Sequence, residues 1–163
     1  MTPPFDLQNY QDPLTIQRVI HSAKTIAVVG LSSNPLRASY FVGYYLQRRG
    51  YRVIPVNPAE REILGERCFK TLADVPVAVD IVNVFRTPDA LPGIAEEAVA
   101  MGARTLWCQF TVINEEGGRI AERAGLTVVM DRCLKVEHAR YVGRMHWLGF
   151  NTGIISSVRG GLQ

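Results

Sequence analysis

Cysteine is scarce in this 163-residue chain: Cys68, Cys108 and Cys133 are far apart, with no C-x-x-C pair and no cysteine–histidine spacing suited to zinc. That argues against a disulfide-stapled secreted domain and a zinc module, and makes a reduced, cytoplasmic compartment the expectation. Long apolar runs are absent too. None approaches the roughly 18 residues of a spanning helix, and the opening MTPPFDLQNY lacks the basic-then-apolar order of a signal peptide, so neither a membrane span nor export is expected. Charge of one sign is in short supply: 18 Lys and Arg against 15 Asp and Glu leave +3. The basic residues are scattered, which speaks against nucleic acid or a membrane surface as partner, whereas an anionic small molecule needs only a few local cations. There is no internal repeat and no low-complexity segment. The length suits one domain, 1–163, with a single core.

What the chain does have is a stretch, Thr25 to Arg49, that reads as a buried strand, a tight turn and a helix in immediate succession. Ile26 to Val29 form a short continuous apolar run closed by Gly30, which suits a strand covered on both faces. The turn Leu31 to Ala38 is polar, holding Ser32, Ser33, Asn34 and Pro35. From Ser39 onward Phe41, Val42, Tyr45 and Leu46 recur at helical spacing, with Ser39 as the expected cap and Gly50 as the stop.

The rest of the chain repeats this plan. Asp12-Pro13 caps and opens an N-terminal helix over 12–22. Tyr51 to Val56 is a second strand ended by Asn57-Pro58, and 60–76 an irregular connection with at most one short helix. Val79 to Phe85 is a third strand, followed by a helix that Arg86-Thr87-Pro88 opens and Gly102 ends. Thr105 to Cys108, a helix over Asn114 to Ala124, and Leu126 to Met130 complete the alternation, and 132–163 forms a C-terminal helix and tail. Strand and helix alternating with short links predict an α/β, Rossmann-like three-layer domain, its parallel sheet of about five strands joined by right-handed crossovers. In such sheets ligands bind beyond the carboxyl ends of the strands, where the strand order reverses.

The turns converging there lack two familiar fingerprints. There is one glycine, Gly30, where a dinucleotide site has G-x-G-x-x-G, and the second strand ends Val56-Asn57-Pro58, with no carboxylate for a ribose. No G-x-x-x-x-G-K-[ST] is present. Two hydroxyls, Asn34, the free N–H groups of a helix start and Arg37 suit a pyrophosphate that is bound rather than hydrolysed. The plainer account of these polar residues is that they close a turn and cap a helix.

Five stretches taken in order resemble a known family: Ala27-Val28-Val29-Gly30-Leu31-Ser32, Tyr51 to Pro58, Ile63-Leu64-Gly65-Glu66, Val79 to Arg86, and Val129 to Cys133 with Lys135, Glu137 and His138. The chain resembles the stand-alone coenzyme A-binding proteins, whose domain is similar to the N-terminal domain of the succinyl-CoA synthetase α subunit. The resemblance covers about 25–138. It implies a single small-molecule ligand, coenzyme A or an acyl-CoA. It also implies that Gly30, Ser32 and Asn34 with Arg37 and Ser39 surround the pyrophosphate, with Leu31 of the same turn among the ligand-binding residues, that Asn57 and Pro58 lie by the adenosine, Phe85 and Arg86 by the middle of the molecule, and Gln109 and Thr111 along the pantetheine. Asp131 and Cys133 follow the last strand at the same crevice. One departure stands out: the family's Trp-x-Gln is followed by a glycine-containing turn, and here Trp107-Cys108-Gln109 leads into Phe110-Thr111.

No catalytic triad can be assembled from His21, His138 and His146. In the synthetase the phosphorylated histidine belongs to a second domain, so the resemblance implies a binding protein rather than a complete ligase. Alternatives are a subunit of a CoA ligase, an NAD(P)-dependent enzyme with a degenerate loop, and a redox protein in which Cys133 meets the thiol of coenzyme A. Against the last stands a buried, structural Cys133 beside a capping ion-pair cluster of Asp131, Arg132 and Lys135. Cys68 and Cys108 read as structural. The aromatic excess of Tyr40, Phe41, Tyr44 and Tyr45 on one helix suggests a homodimer contact, whereas His138 and Arg140 on the final helix either cover the ligand or, the commoner case, form a solvated helix face.

Overall fold

The computed structural model describes residues 2–142. Five parallel strands form one sheet in the order β2-β1-β5-β6-β7. They are β1 (Thr25–Val29), β2 (Arg52–Val56), β5 (Ile81–Val84), β6 (Thr105–Cys108) and β7 (Thr127–Val129), and a separate two-strand hairpin pairs β3 (Glu62–Ile63) with β4 (Glu66–Arg67). Helices α1 (Pro13–Ser22), α2 (Ala38–Arg48), α3 (Leu91–Ala100), α4 (Glu115–Arg123) and α5 (Leu134–Tyr141) cover both faces.

Alternation along each strand divides the core in two. Ala27, Val29, Val82, Val84, Leu106 and Cys108 point to the side of α3 and α4. Ile26, Val28, Ile81, Trp107 and Val129 point to the side of α1, α2 and α5. This is the expected α/β, Rossmann-like three-layer arrangement. Its strand order reverses between β1 and β5, where Ile26 to Val29 pair with Ile81 to Val84.

The ends of the elements follow from the sequence chemistry. Asp12 caps α1, accepting the Thr15 N–H at 3.0 Å, with Pro13 at the first helical position. Asn114 caps α4 by accepting from the Gly117 N–H. At α2 the expectation fails. The cap position is Arg37, without a side-chain cap bond, and Ser39 lies inside the first turn, where its Oγ accepts the Ser32 N–H at 3.0 Å. In residues 60–76 the β3–β4 hairpin departs from the irregular connection expected, while the 3-10 turn at Leu72–Asp74 is the one short helix allowed there. Residues 143–163, which include His146, Trp147 and the tail, lie outside the described residues.

Candidate functional site

At the reversal point β1 runs out through Gly30 and β5 through Phe85. The Phe85 N–H donates to the Val29 carbonyl at 2.8 Å, and Gly30 sits at φ +86. A Cβ on Gly30 would collide with the Phe85 carbonyl oxygen, so both the backbone conformation and the close approach require glycine. The turn beyond is closed by its own side chains. Ser32 Oγ accepts the Asn34 N–H at 3.0 Å and Asn34 Oδ1 accepts the Leu36 N–H at 2.9 Å. The turn-closing account of Ser32, Asn34 and Ser39 therefore describes what their oxygens do. The N–H groups at the head of α2 lack intrahelical acceptors and point, with the positive dipole end, toward the same spot. Arg37 is exposed there and, among the described residues, in no ion pair.

Two cavities adjoin at this point. One, about 330 Å³, is walled by Gly30, Ser32, Arg37, Ser39, Ala38 and Phe85. The other, about 520 Å³, shares Ala38 and Phe85 with it and continues past Arg86, Gln109, Thr111 and Cys133. The first is polar and cationic, whereas Val42, Pro88 and Val112 give the second a mostly carbon surface. Gln109, only 3% exposed, donates from Nε2 to Asn83 Oδ1 at 2.7 Å, which fixes the amide in the wall.

Nine residues singled out from the sequence thus line the two cavities, and five do not. Leu31 is fully buried under α2, so only its main chain is available. Asn34 is occupied in the turn. Asn57 donates from Nδ2 to the Leu31 carbonyl and accepts the Ala59 N–H, tying the end of β2 to the first turn, while Pro58 is exposed beside it. Asp131 accepts the Thr111 N–H through Oδ1 and shapes the wall from behind. Ala38, Val42 and Val112 were not singled out from the sequence, because an apolar residue facing a cavity has the same signature as one facing the core.

The segment after β7 differs from the expected ion-pair cluster. Trp107 Nε1 donates to the Arg132 carbonyl at 2.8 Å, fixing the loop. Arg132 pairs with Glu137 at 3.6 Å and donates to the main-chain carbonyl of Asp131 at 2.9 Å, not to its carboxylate, and Lys135 lies over the rings of Phe41 and Tyr45. Cys133, 9% exposed, is the cap residue of α5 and lines the larger cavity. Cys108 is fully buried and burial pushes its thiol pKa up, while Cys68 is 8% exposed and its thiol is likewise raised by burial. Both behave as core residues. His138 corrects the reading of α5 as a solvated face: it is 4% exposed, bonded through Nδ1 to the Tyr45 hydroxyl at 2.9 Å, and lines neither of these cavities but another at the amino edge of the sheet. Among the described residues no cluster suits a metal ion, and no helix is long and apolar enough to cross a membrane.

The family model described as "CoA binding domain" matches residues 24–139. The protein YneT of Bacillus subtilis is 44% identical over 124 residues, which cover 76% of this chain and 92% of that one. A solved structure, a hypothetical protein from Pyrococcus horikoshii OT3, superposes with a TM-score of 0.81 at 34% identity, covering 88% of this chain and 100% of that one. An ADP-forming acetate–CoA ligase of Methanocaldococcus jannaschii is 23% identical over 127 residues, and this chain spans only 18% of that ligase's length.

Proposed function

The chain belongs to the CoA-binding domain family, and we propose that it binds coenzyme A or an acyl-CoA across the β1–β5 switch point, as a binding module over about 25–138 rather than as a complete enzyme. The observation behind this reading is the continuity of the two cavities through Ala38 and Phe85. A trench that is cationic and rich in N–H donors at one end and carbon-lined at the other complements a ligand with a pyrophosphate at one end and a long, weakly polar arm at the other.

In this reading the pyrophosphate lies over Gly30, Ser32 and Ser39, held by the main-chain N–H groups at the head of α2 and by Arg37. Leu31 and Asn34 contribute through the backbone they hold. Asn57 and Pro58 flank the adenosine, Phe85 and Arg86 the middle of the molecule, and Gln109 and Thr111 the pantetheine, with Asp131 behind the wall and Cys133 near the sulfur. A homodimer through the outer face of α2, where Phe41 and Tyr44 are exposed, and a cytoplasmic location consistent with three unpaired thiols belong to the same proposal.

A second reading is favoured by the ligase relative, in which a homologous segment makes up a fraction of a larger catalytic chain. Here the protein would present its ligand to a partner subunit that carries the chemistry. Both readings share one test: calorimetric titration with coenzyme A, acetyl-CoA, NAD and ATP in separate runs. Preferential binding of the CoA compounds is the expected result, and binding of NAD or ATP instead would withdraw the site assignment.

A further inference from the structure

A third cavity, about 440 Å³, opens at the opposite, amino edge of the sheet, between the end of α1, the end of α2 and α5. Among the described residues its wall contains Lys24, Arg49 and Arg52 and no carboxylate. Among the described residues none of these three cations is in an ion pair. The nearby Asp80 carboxylate instead accepts the Lys24 and Thr25 N–H groups at 2.7 and 3.0 Å and faces Arg104 at 3.9 Å. Three like charges around one concavity repel one another and concentrate anions.

The floor has a more specific feature. His138 lines this cavity although it is only 4% exposed. Tyr45 and Tyr51 pack edge-on against its ring, with centroids at 5.4 and 5.5 Å. The Tyr51 hydroxyl donates to the Ile20 carbonyl, and the Tyr45 hydroxyl lies 2.9 Å from His138 Nδ1, its only described acceptor. A phenol donating to Nδ1 leaves the proton of the neutral imidazole on Nε2. Nε2 has no partner among the described residues, so the floor offers a fixed N–H donor below a ring of guanidinium and ammonium groups.

The geometry points to a second anion site, separate from the CoA trench, in which His138 Nε2–H and the Lys24, Arg49 and Arg52 side chains hold a small phosphate-bearing molecule. Guanidinium forks and a buried N–H suit the several acceptor oxygens of a phosphate, which a single carboxylate would satisfy less completely. The site lies at the other end of the strands, so an occupant would not compete with coenzyme A.

Inorganic phosphate is the probe, titrated into the full-length protein against chloride at matched ionic strength, with the His138 ring nitrogens followed by NMR. The expected result is a saturable shift of Nε2 with phosphate only, a midpoint at least about tenfold weaker in the double variant Arg49→Gln, Arg52→Gln, recovery in Arg49→Lys, Arg52→Lys, and an unchanged midpoint in Arg37→Ala. A drift equal to that of chloride, or the same midpoint in the Gln double variant, would overturn the site. So would loss of the response in Arg37→Ala, because the phosphate would then be acting from the CoA trench. The outcome is independent of whether coenzyme A binds.

Discussion

Asp131 Oδ1 accepts the Thr111 N–H at 2.7 Å, and both residues sit at positive φ, Asp131 at +59 and Thr111 at +69. A β-branched residue, Thr111, thus stands in a conformation that glycine adopts freely. Left-handed backbone costs a non-glycine residue about 1–2 kcal/mol, more for a branched side chain, and persists where the surroundings impose it. Here the carboxylate of the next loop imposes it.

Thr111→Gly should therefore stabilise the protein, by about 0.5–1 kcal/mol once the extra chain entropy of glycine is subtracted. Asp131→Ala should destabilise it by about 1–2 kcal/mol through loss of a charge-assisted bond, and should also weaken coenzyme A binding because the Gln109–Val112 wall loses its brace. Denaturant melts of the two variants check the opposite signs. Equal destabilisation by both would show that the Thr111 conformation is not strained.

Gly30→Ala tests the switch point itself. The new methyl group meets the Phe85 carbonyl at a residue with φ +86, so either β1 and β5 separate or the turn is rebuilt. The expected cost is on the order of 3 kcal/mol, with loss of ligand binding even where the variant remains folded at low temperature. Gly50→Ala is the control, since it has a similar φ of +94 but open space around its Cβ. If the two variants melted alike, close approach would play no part in the requirement at Gly30.

Arg37→Ala should leave stability nearly unchanged, because the side chain is exposed and makes no described cap bond or ion pair. If it contacts the pyrophosphate, coenzyme A affinity falls by about 1.5–3 kcal/mol and the salt dependence of binding weakens. Titrations at two ionic strengths give both numbers. An unchanged affinity would return Arg37 to the solvated surface.

The sequence was most legible where local chemistry and global fold agree. Short apolar runs ending at Gly30 and the Asp12-Pro13 start of α1 specify their elements without tertiary information. The β3–β4 hairpin was not legible, because two-residue strands have no period and its turn uses Leu64 at φ +56 with Gly65 at +77 rather than an Asn-Gly pair. Ser39 has the composition of a cap, yet the Asn34–Arg37 turn puts the cap at Arg37, ahead of Ser39, and turns the Ser39 hydroxyl back to Ser32. In the site, the polar residues could be located but not their partners. Nothing in the sequence indicates that Asn57 holds Leu31 or that Asp131 holds Thr111, since both bonds join loops far apart in the chain. The burial of His138 is hidden for a related reason: an eight-residue helix is too short for its periodicity to reveal which face is buried.

That burial makes His138 a measurable acid-sensitive group. Desolvation, followed by the nearby Arg49 and His21, lowers its pKa from 6.5 to about 4. A base with a depressed pKa is held neutral by the fold, so its contribution to stability is intact above about pH 6.5, declines as the pH falls toward 4 because only the unfolded chain takes up the proton, and is level below that. The full difference is roughly 3 kcal/mol. Glu137, one residue earlier, opposes it: burial raises its carboxyl pKa despite Arg140 and Arg132, so the folded state takes up that proton first and gains stability on acidification. The net acid loss should accordingly be smaller than His138 alone would give, and replacing His138 with Asn should flatten the decline between pH 6.5 and 4. NMR titration of the ring decides the matter directly: a His138 that protonates near 6.5 would mean that the Tyr45–Tyr51 box is open to water, and the fixed Nε2 donor at the amino edge would be lost with it.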